Sequence, residues 1–304
     1  MARLFRASIL ALFALLLLPA STSLATMSSK TVLVTGGNKG IGKAVCARLL
    51  SDHPDVTVLL GSRDAGRGDE AVRDLESTVP GAGGRVKSIV IDTSSDESVK
   101  AAANSCGDGP LYGVVNNAGI WGKSFDDTLD VNYFGVRRVC DAFEPKLVRP
   151  GGRIVNIGSA SGPMFVAGCR ARDLRSKLAD PLSIKGGVAE LDEIAKSYFG
   201  VTDYGGDAYG LSKALLNAYT VLHARDEPDL IVNSCSPGFI RTDLTINAGL
   251  GATNPPEKGA FAPVDLLMNS KFEGIPTGRY YGSDAVRSPL DCYRGPGDPP
   301  FEGP

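Results

Sequence analysis

Tyr209 and Lys213 are the residues whose types and spacing point most directly to proton chemistry. They lie four positions apart at the start of an otherwise apolar stretch that is predicted to be helical. Side chains at positions i and i+4 share one helix face, so the phenol and the ammonium group are expected to meet. A nearby cation favours the phenolate and lowers a tyrosine pKa from its ordinary value of about 10. The spacing therefore predicts an acid–base pair, although such a pair taken alone would more often be surface decoration.

Ser159 follows a predicted buried strand, Arg153–Ile157. A polar side chain at the carboxyl end of a parallel strand lies where such sheets bind ligands, so its hydroxyl could polarise a carbonyl oxygen beside Tyr209. The chain has two histidines, His53 and His223, and both are expected at the surface. Ser159 is therefore not predicted to belong to a hydrolase triad, and no metal site is predicted.

A glycine-rich turn follows the first predicted strand and leads directly into a helical pattern. Its sequence is TGGNKGIG, with GxxxGxG rather than GxGxxG spacing. Glycines let backbone N–H groups approach a pyrophosphate, and the helix N-terminus adds the positive end of its dipole. The turn predicts dinucleotide binding, although many tight turns also use glycine. The predicted contacts here are Gly36, Asn38, Lys39, Gly40, Ile41 and Gly42.

The end of the second predicted strand bears on which cofactor binds. NAD sites usually place an acid there, whereas a nearby arginine accommodates the 2′-phosphate of NADP. Gly61 and Ser62 occupy the position of the acid, Arg63 follows, and Lys39 offers a second cation from the turn. Two cations and no acid favour NADP. Asp64 keeps NAD open as the alternative, and both cations could instead be solvated surface charges.

The elements that must position these residues alternate between strands and helices. Apolar runs without polar alternation fit parallel strands that are buried on both faces. The predicted strands are Thr31–Thr35, Thr57–Leu60, Val86–Ile91, Leu111–Val115, Arg153–Ile157, Leu230–Asn233 and Gly278–Tyr281. The predicted helices are Ile41–Ser51, Arg67–Thr78, Ser95–Ser105, Val131–Val148 and Ala208–Ala224. This order predicts an α/β fold, a doubly wound parallel sheet of the Rossmann type, in a single domain over residues 30–287.

Two segments depart from the alternation. Residues 163–204 form a predicted helical insertion, with amphipathic candidates near Cys169–Leu178 and Val188–Phe199. Residues 288–304 are rich in Gly and Pro and are expected to be irregular.

Composition excludes several classes of protein. The 304 residues are 43% apolar and carry 32 Lys+Arg against 34 Asp+Glu. A disordered chain would be less apolar or more charged, and a nucleic-acid partner would usually require a basic chain. The six cysteines show no CxxC spacing and are expected to be mostly buried free thiols.

Residues 1–25 have the pattern of a secretory signal peptide. Arg3 and Arg6 precede an apolar run from Ala7 to Leu18, and small residues before Ala25 offer a cleavage site. The run is short for a membrane-spanning helix, which needs about 20 apolar residues, so no stable span is expected in the mature chain. An uncleaved anchor, a bipartite plastid presequence, and an internal start at Met27 that gives a cytoplasmic protein remain open.

Taken together, these motifs resemble the short-chain dehydrogenase/reductase family over about residues 30–283. The resemblance rests on the glycine turn, Asn116-Asn117-Ala118-Gly119, Ser159, Tyr209-x-x-x-Lys213 and Ser236-Pro237-Gly238. It implies a catalytic set of Asn132, Ser159, Tyr209 and Lys213. In that set Tyr209 donates a proton to a carbonyl, Ser159 orients the carbonyl, Lys213 holds the nicotinamide ribose and lowers the Tyr209 pKa, and Asn132 holds a water relay.

The resemblance also implies cofactor contacts outside the glycine turn. Asp92 would contact the adenine, and Asn117, Ala118 and Gly119 would line the cofactor. The residues expected to border the nicotinamide are Pro237, Gly238, Ile240 and Thr242.

Far more residues separate Ser159 from Tyr209 than in most family members. The extra segment resembles the insertion of the carbonyl reductase branch, whose members are commonly NADPH-using monomers because the insertion covers a face that others use to oligomerise. It implies a monomer with part of the insertion over the substrate pocket, although a plain surface elaboration remains open. Trp121 and Phe125 could form part of the pocket wall or pack within their loop, and Tyr204 is a weaker candidate of the same kind.

The predicted function is reversible, NADPH-dependent reduction of an aldehyde or ketone to an alcohol. Three alternatives remain: an NAD(P)-dependent alcohol dehydrogenase working in the oxidative direction, a sugar-nucleotide epimerase, and a non-catalytic NADP-binding sensor. An epimerase would usually carry a larger C-terminal region, and a sensor would be expected to lack part of the catalytic set.

Overall fold

A seven-stranded parallel sheet organises the protein, in the order β3-β2-β1-β4-β5-β6-β7. The computed structural model describes residues 30–202, 207–273 and 277–303. The strands are β1 (Lys30–Val34), β2 (Val56–Ser62), β3 (Val86–Val90), β4 (Leu111–Asn116), β5 (Arg153–Ile157), β6 (Ile231–Cys235) and β7 (Tyr280–Tyr281). The strand order reverses between β1 and β4, which opens a crevice at their carboxyl ends. The predicted α/β, doubly wound fold is confirmed.

Helices cover both faces of the sheet. They are α1 (Gly40–Asp52), α2 (Ala65–Thr78), α3 (Asp96–Ser105), α4 (Phe125–Leu129), α5 (Gly135–Phe143), α6 (Ser161–Gly168), α7 (Arg172–Ala179), α8 (Gly187–Lys196), α9 (Ala208–Asp226), α10 (Asp243–Asn247), α11 (Pro256–Gly259) and α12 (Phe261–Met268). A π-helical turn, Asp130–Phe134, joins α4 to α5. Within the described ranges, none of these helices combines the length and apolar character needed to cross a bilayer.

Strand β1 shows how the core forms on both faces of the sheet. Successive side chains of a strand point to opposite faces. Accordingly, Leu33 packs into the apolar cluster that contains Phe143, whereas Val32 and Val34 pack into the cluster that contains Leu49 of α1. The side chains of Val32, Leu33 and Val34 are fully buried, as their continuous apolar sequence predicts.

Instead of the single predicted helix Val131–Val148, the structure has three consecutive helical segments. They are α4, which lies before the predicted start, then the π-helical turn and α5. Helical structure begins earlier than predicted because Ser124 caps α4 by accepting a hydrogen bond from the Asp127 amide at 3.1 Å. It ends earlier because Pro145 lies in a short 3₁₀ turn directly after α5.

The insertion contains α7 and α8 close to the two amphipathic candidates, and α8 packs against α9. The insertion begins within α6, which the sequence did not predict because its mostly apolar residues show no helical periodicity. The predictions for residues 1–25, Met27 and Tyr204 fall outside the described residues.

The prediction that His223 lies at the surface is wrong. His223 is 5% exposed on α9, and its Nε2 lies 2.7 Å from Oε2 of Glu144. Burial disfavours the imidazolium, but the Cys140 thiol and the Glu144 carboxylate favour it and together raise the pKa of His223 to about 10. Of the cysteines, Cys46, Cys140 and Cys235 are buried, and all six are free thiols.

We expect His223 to make the free energy of unfolding pH-dependent. A histidine whose folded pKa exceeds its unfolded value of about 6.5 stabilises fully below that pH and loses this contribution as pH rises through about 10. In urea unfolding across this window, H223Q should lose less stability than the wild-type protein. H53Q is the control, because burial lowers the pKa of His53 and moves its titration below the window. Equal slopes for H223Q and wild type would contradict the assignment.

Candidate active site

The loop after β4, the end of β5 and the first turns of α9 bring the predicted catalytic residues together. The Ser159 side chain lies close enough to the Tyr209 phenol to lower its pKa. A Cβ placed on Gly119 would lie 3.2 Å from Oδ1 of Asn132 and 3.7 Å from Nζ of Lys213. Gly119 therefore lies between Asn132 and Lys213, where a side chain would crowd Asn132 and contact Lys213.

The start of α9 is set by Asp207, whose carboxylate caps the helix by accepting a hydrogen bond from the Tyr209 amide at 3.0 Å. Because α9 begins there, Tyr209 and Lys213 project from successive turns of one face. The ammonium nitrogen of Lys213 lies 5.6 Å from the centre of the Tyr209 ring.

Burial has the largest effect on the pKa values of Tyr209 and Lys213. It raises the pKa of Tyr209 to about 12, while the Ser159 side chain lowers the pKa and Asp207 raises it further. This differs from the expectation that Lys213 lowers the Tyr209 pKa, because the Lys213 ammonium donates instead to the carbonyl oxygen of Ile157 at 2.7 Å. Burial lowers the pKa of Lys213 itself to about 8. At neutral pH Tyr209 therefore carries its proton.

Asn132 is fully buried in the π-helical turn. Its Oδ1 accepts from the Ile120 amide at 2.8 Å, and its Nδ2 donates to the Ile120 carbonyl at 2.9 Å and to the Ser212 hydroxyl at 3.1 Å. These bonds tie the loop after β4 to α9. π-helical turns within α-helices are frequent at functional sites.

A cavity of about 620 Å³ lies in the crevice at the carboxyl ends of β1, β2 and β4. Eleven of the predicted cofactor-binding residues line it: Gly36, Asn38, Lys39, Gly40, Ile41, Arg63, Asp92, Asn117, Ala118, Gly119 and Thr242. The remaining predicted contacts do not line the cavity. Gly42 is buried beneath the turn, and Pro237, Gly238 and Ile240 lie on the loop after β6. That loop reaches the glycine turn, since a Cβ on Gly40 would lie 3.3 Å from a methyl group of Thr242.

At the end of β2, the cavity is lined by Arg63 and by a second arginine, Arg67, in the first turn of α2. Asp64, the candidate acid for an NAD site, instead caps α2 by accepting from the Arg67 amide at 2.8 Å. This hydrogen bond lowers the pKa of the Asp64 carboxyl. Lys39 is paired with Asp243 at 2.5 Å. The Asp64 carboxylate is therefore engaged in capping α2, and Arg63 and Arg67 both line the cavity.

Comparison with known proteins agrees with this geometry. The family model for short chain dehydrogenases matches residues 30–171. Carbonyl reductase [NADPH] 1 of Rattus norvegicus is 32% identical over 261 residues, which is 78% of this chain and 90% of that protein. The chain belongs to the short-chain dehydrogenase/reductase family.

Two further similarities support the same placement in this family of dehydrogenases and reductases. (+)-Neomenthol dehydrogenase of Arabidopsis thaliana is 28% identical over 307 residues, covering 86% of this chain and 99% of that protein. The solved structure of salutaridine reductase from Papaver somniferum superposes with a TM-score of 0.70 at 25% identity. It covers 83% of this chain and 99% of that one.

Within this short-chain dehydrogenase/reductase fold, several cavity residues escaped the sequence analysis. Arg67 lies four residues after Arg63, and that spacing at the start of a predicted helix was the available signal. Lys123 and Arg241 also line the cavity, although no motif marks them. Trp121 lines the cavity as one of its two interpretations predicted, whereas Phe125 is buried against Tyr198, with ring centres 6.0 Å apart.

Replacement of Gly42 tests the glycine turn of this short-chain dehydrogenase/reductase. A Cβ at Gly42 would lie 2.2 Å from the Gly36 carbonyl oxygen and 2.4 Å from Nδ2 of Asn117, so the turn would have to move. We expect G42A to weaken NADPH binding by about tenfold or more in a fluorescence titration.

The matched control for this test is G66A. Gly66 lies in the first turn of α2, where the nearest atom to an added Cβ is 3.5 Å away. Alanine also favours the helix over glycine, so G66A should bind NADPH as the wild type does. Wild-type affinity in G42A would show that the turn does not hold the cofactor.

Proposed function

We propose that this protein reduces an aldehyde or ketone to an alcohol with NADPH and catalyses the reverse reaction at the same site. The observation that carries the proposal is the convergence of Ser159, Tyr209 and the buried Lys213, in which the Ser159 side chain lowers the Tyr209 pKa and the Lys213 ammonium lies 5.6 Å from the centre of the Tyr209 ring. These residues stand next to a crevice suited to a dinucleotide. The name of the rat relative, carbonyl reductase [NADPH] 1, supports the same reaction class and cofactor.

The residues around the crevice fit a dinucleotide. Gly36 and Gly40 have φ values of +63° and +54°, a conformation that favours glycine and brings backbone close to a ligand. The N-terminus of α1 starts at Gly40 and offers unpaired N–H groups to a pyrophosphate. Arg63 and Arg67 would hold a 2′-phosphate, and the Asp92 carboxylate stands near the adenine end. NADPH would supply a hydride when bound.

Each catalytic residue would act through an atom already in position. The Ser159 hydroxyl would hydrogen-bond the carbonyl oxygen, and the Tyr209 phenol would donate its proton to that oxygen. The carbonyl thereby gains one hydride and one proton and becomes an alcohol. Because the pKa of Lys213 is about 8, this residue is cationic at neutral pH and would stabilise the phenolate that Tyr209 becomes. Asn132 would hold the water that returns a proton to Tyr209.

Preference for NADPH follows from the charges at the far end of the crevice. Two arginines line the cavity there, and the nearby carboxylate of Asp64 is engaged in capping α2. A carboxylate facing the ribose would repel a 2′-phosphate, whereas guanidinium groups bind it through charge-assisted hydrogen bonds. We therefore assign NADPH rather than NADH as the preferred cofactor.

Two further points are part of the proposal. The protein acts on a small-molecule carbonyl compound as a monomer: α8 of the insertion packs against α9, and the resemblance to the carbonyl reductase branch implies that the insertion covers a face that other family members use to oligomerise. Residues 1–25 direct the chain to the secretory pathway or a plastid, an assignment that rests on their sequence pattern alone.

Carbonyl-dependent oxidation of NADPH by the full-length chain tests the proposal. A panel of aldehydes and ketones is offered with NADPH and, in parallel, with NADH, and reactions without carbonyl serve as blanks. We expect turnover with NADPH and at least about tenfold lower kcat/KM with NADH. Tight binding of NADPH without turnover of any carbonyl would contradict the reductase and favour the non-catalytic sensor.

A further inference from the structure

Helix α8 of the insertion contacts the segment that carries Asn132 through a partly buried polar contact. The hydroxyl of Tyr133 donates to Oδ1 of Asp192 at 2.7 Å. The other oxygen of Asp192 lies 3.5 Å from a guanidinium nitrogen of Arg137. Tyr133 is fully buried, and burial together with the Asp192 carboxylate raises its pKa, so its hydroxyl remains a donor.

Tyr133 is the residue next to Asn132, and both belong to the π-helical turn Asp130–Phe134. A π-helical turn is wider than the α-helix on either side and needs tertiary contacts to hold its register. Asn132 makes three hydrogen bonds on one side of this turn, and Tyr133 makes its bond to Asp192 from the next position. A shift of Tyr133 would therefore move Asn132 with it.

The insertion contacts this segment at other points as well. The rings of Phe199 and Phe134 are 5.7 Å apart, and the amide of Gly200 donates to the Asp126 carboxylate at 2.8 Å. These contacts lie on both sides of Asn132 along the chain. Among them, the bond from Tyr133 to Asp192 is the one closest in sequence to Asn132, and it joins a fully buried donor to a carboxylate.

We propose that Asp192 is a positioning residue, which holds the π-helical turn through Tyr133 and so fixes Asn132 beside Lys213. The insertion then has a role in organising the active site besides covering α9. The inference rests on the proposed function, because its kinetic test needs a reaction in which Asn132 takes part. Displacing a catalytic group by about 1 Å can cost a large factor in rate, so the expected effect is on kcat.

The kinetic test compares D192A, D192N and Y133F with the wild-type chain. D192A and Y133F should each lower kcat for carbonyl reduction about tenfold, while the Kd for NADPH stays within about twofold. D192N keeps an acceptor oxygen for Tyr133 and should recover most of kcat. The double variant Y133F/D192A should lose no more than either single variant, because both remove the same bond.

The matched control is E193A on the same helix. It removes an exposed ion pair between Glu193 and Lys196, 2.8 Å long, and should leave kcat unchanged. Unchanged kcat in D192A, or an equal loss in E193A, would overturn the positioning role.

Hydrogen exchange supplies a second test that does not depend on turnover. The amide of Ile120 donates to Oδ1 of Asn132, so its exchange reports where Asn132 lies. D192A and Y133F should exchange this amide at least about tenfold faster, while the amides of the β1 core exchange as in the wild type. Unchanged protection of Ile120 would overturn the inference even if the wild-type chain reduces carbonyls. If the wild type reduces none, the proposed function fails and the exchange result still decides the role of Asp192.

Discussion

Y209F is expected to lower kcat for carbonyl reduction by about 10²–10⁴-fold, the range for loss of a positioned acid or base. The phenol supplies the proton that the carbonyl oxygen gains, and its pKa of about 12 keeps that proton in place at neutral pH. Phenylalanine preserves the ring and its contact with Lys213, so NADPH binding should change by less than about twofold. Steady-state kinetics and a fluorescence titration measure the two quantities separately.

Y293F is the control for this replacement. Tyr293 is 56% exposed in the C-terminal segment and does not line the cofactor cavity, and its variant should turn over as the wild type does. If Y209F kept more than about a tenth of wild-type kcat, the proton would come from another group. If a folded Y209F variant lost NADPH binding together with turnover, Tyr209 would also hold the cofactor, and a purely catalytic role would be contradicted.

The double variant R63A/R67A is expected to lose most of the preference for NADPH. A hydrogen bond from a charged group contributes about 1.5–3 kcal/mol, so removing both guanidinium groups should weaken NADPH binding by about 100-fold or more. NADH lacks the 2′-phosphate, and its Kd should change by less than about threefold. The ratio of the two Kd values, measured by nicotinamide fluorescence, is therefore the quantity to follow.

Two companion variants sharpen this test. R73A removes an exposed arginine from the same helix, α2, outside the lining of the cavity, and should leave both Kd values unchanged. D64A removes the helix cap and the carboxylate that lies 3.6 Å from the Arg67 guanidinium, so it should not weaken NADH binding selectively. A selective loss of NADH binding in D64A would instead make Asp64 the ribose acceptor and contradict the NADPH assignment.

The elements that the sequence predicted well are those whose signal is local. The strands are continuous apolar runs, and Arg153–Ile157 has the predicted bounds because both faces of β5 are buried. The glycine turn is marked by residue types that the backbone itself requires, such as Gly36 and Gly40 with positive φ.

The features that escaped prediction depend on partners that are distant in sequence. His223 is buried against Glu144, which is 79 residues away in the sequence. No motif near either residue predicts this contact. The bond between Tyr133 and Asp192 spans 59 residues. The π-helical turn that carries both Asn132 and Tyr133 interrupts a pattern whose apolar periodicity reads as one helix.

Transfer of deuterium from cofactor to product tests the central claim most directly. The full-length chain is incubated with a reducible ketone and NADPH that carries deuterium at the transferring position of the nicotinamide, and the alcohol is analysed by mass spectrometry and NMR. We predict one deuterium on the carbinol carbon of the product, no product with Y209F on the same timescale, and slower reaction with NADH. An alcohol without deuterium on that carbon, or no alcohol from any carbonyl despite bound NADPH, would contradict the account.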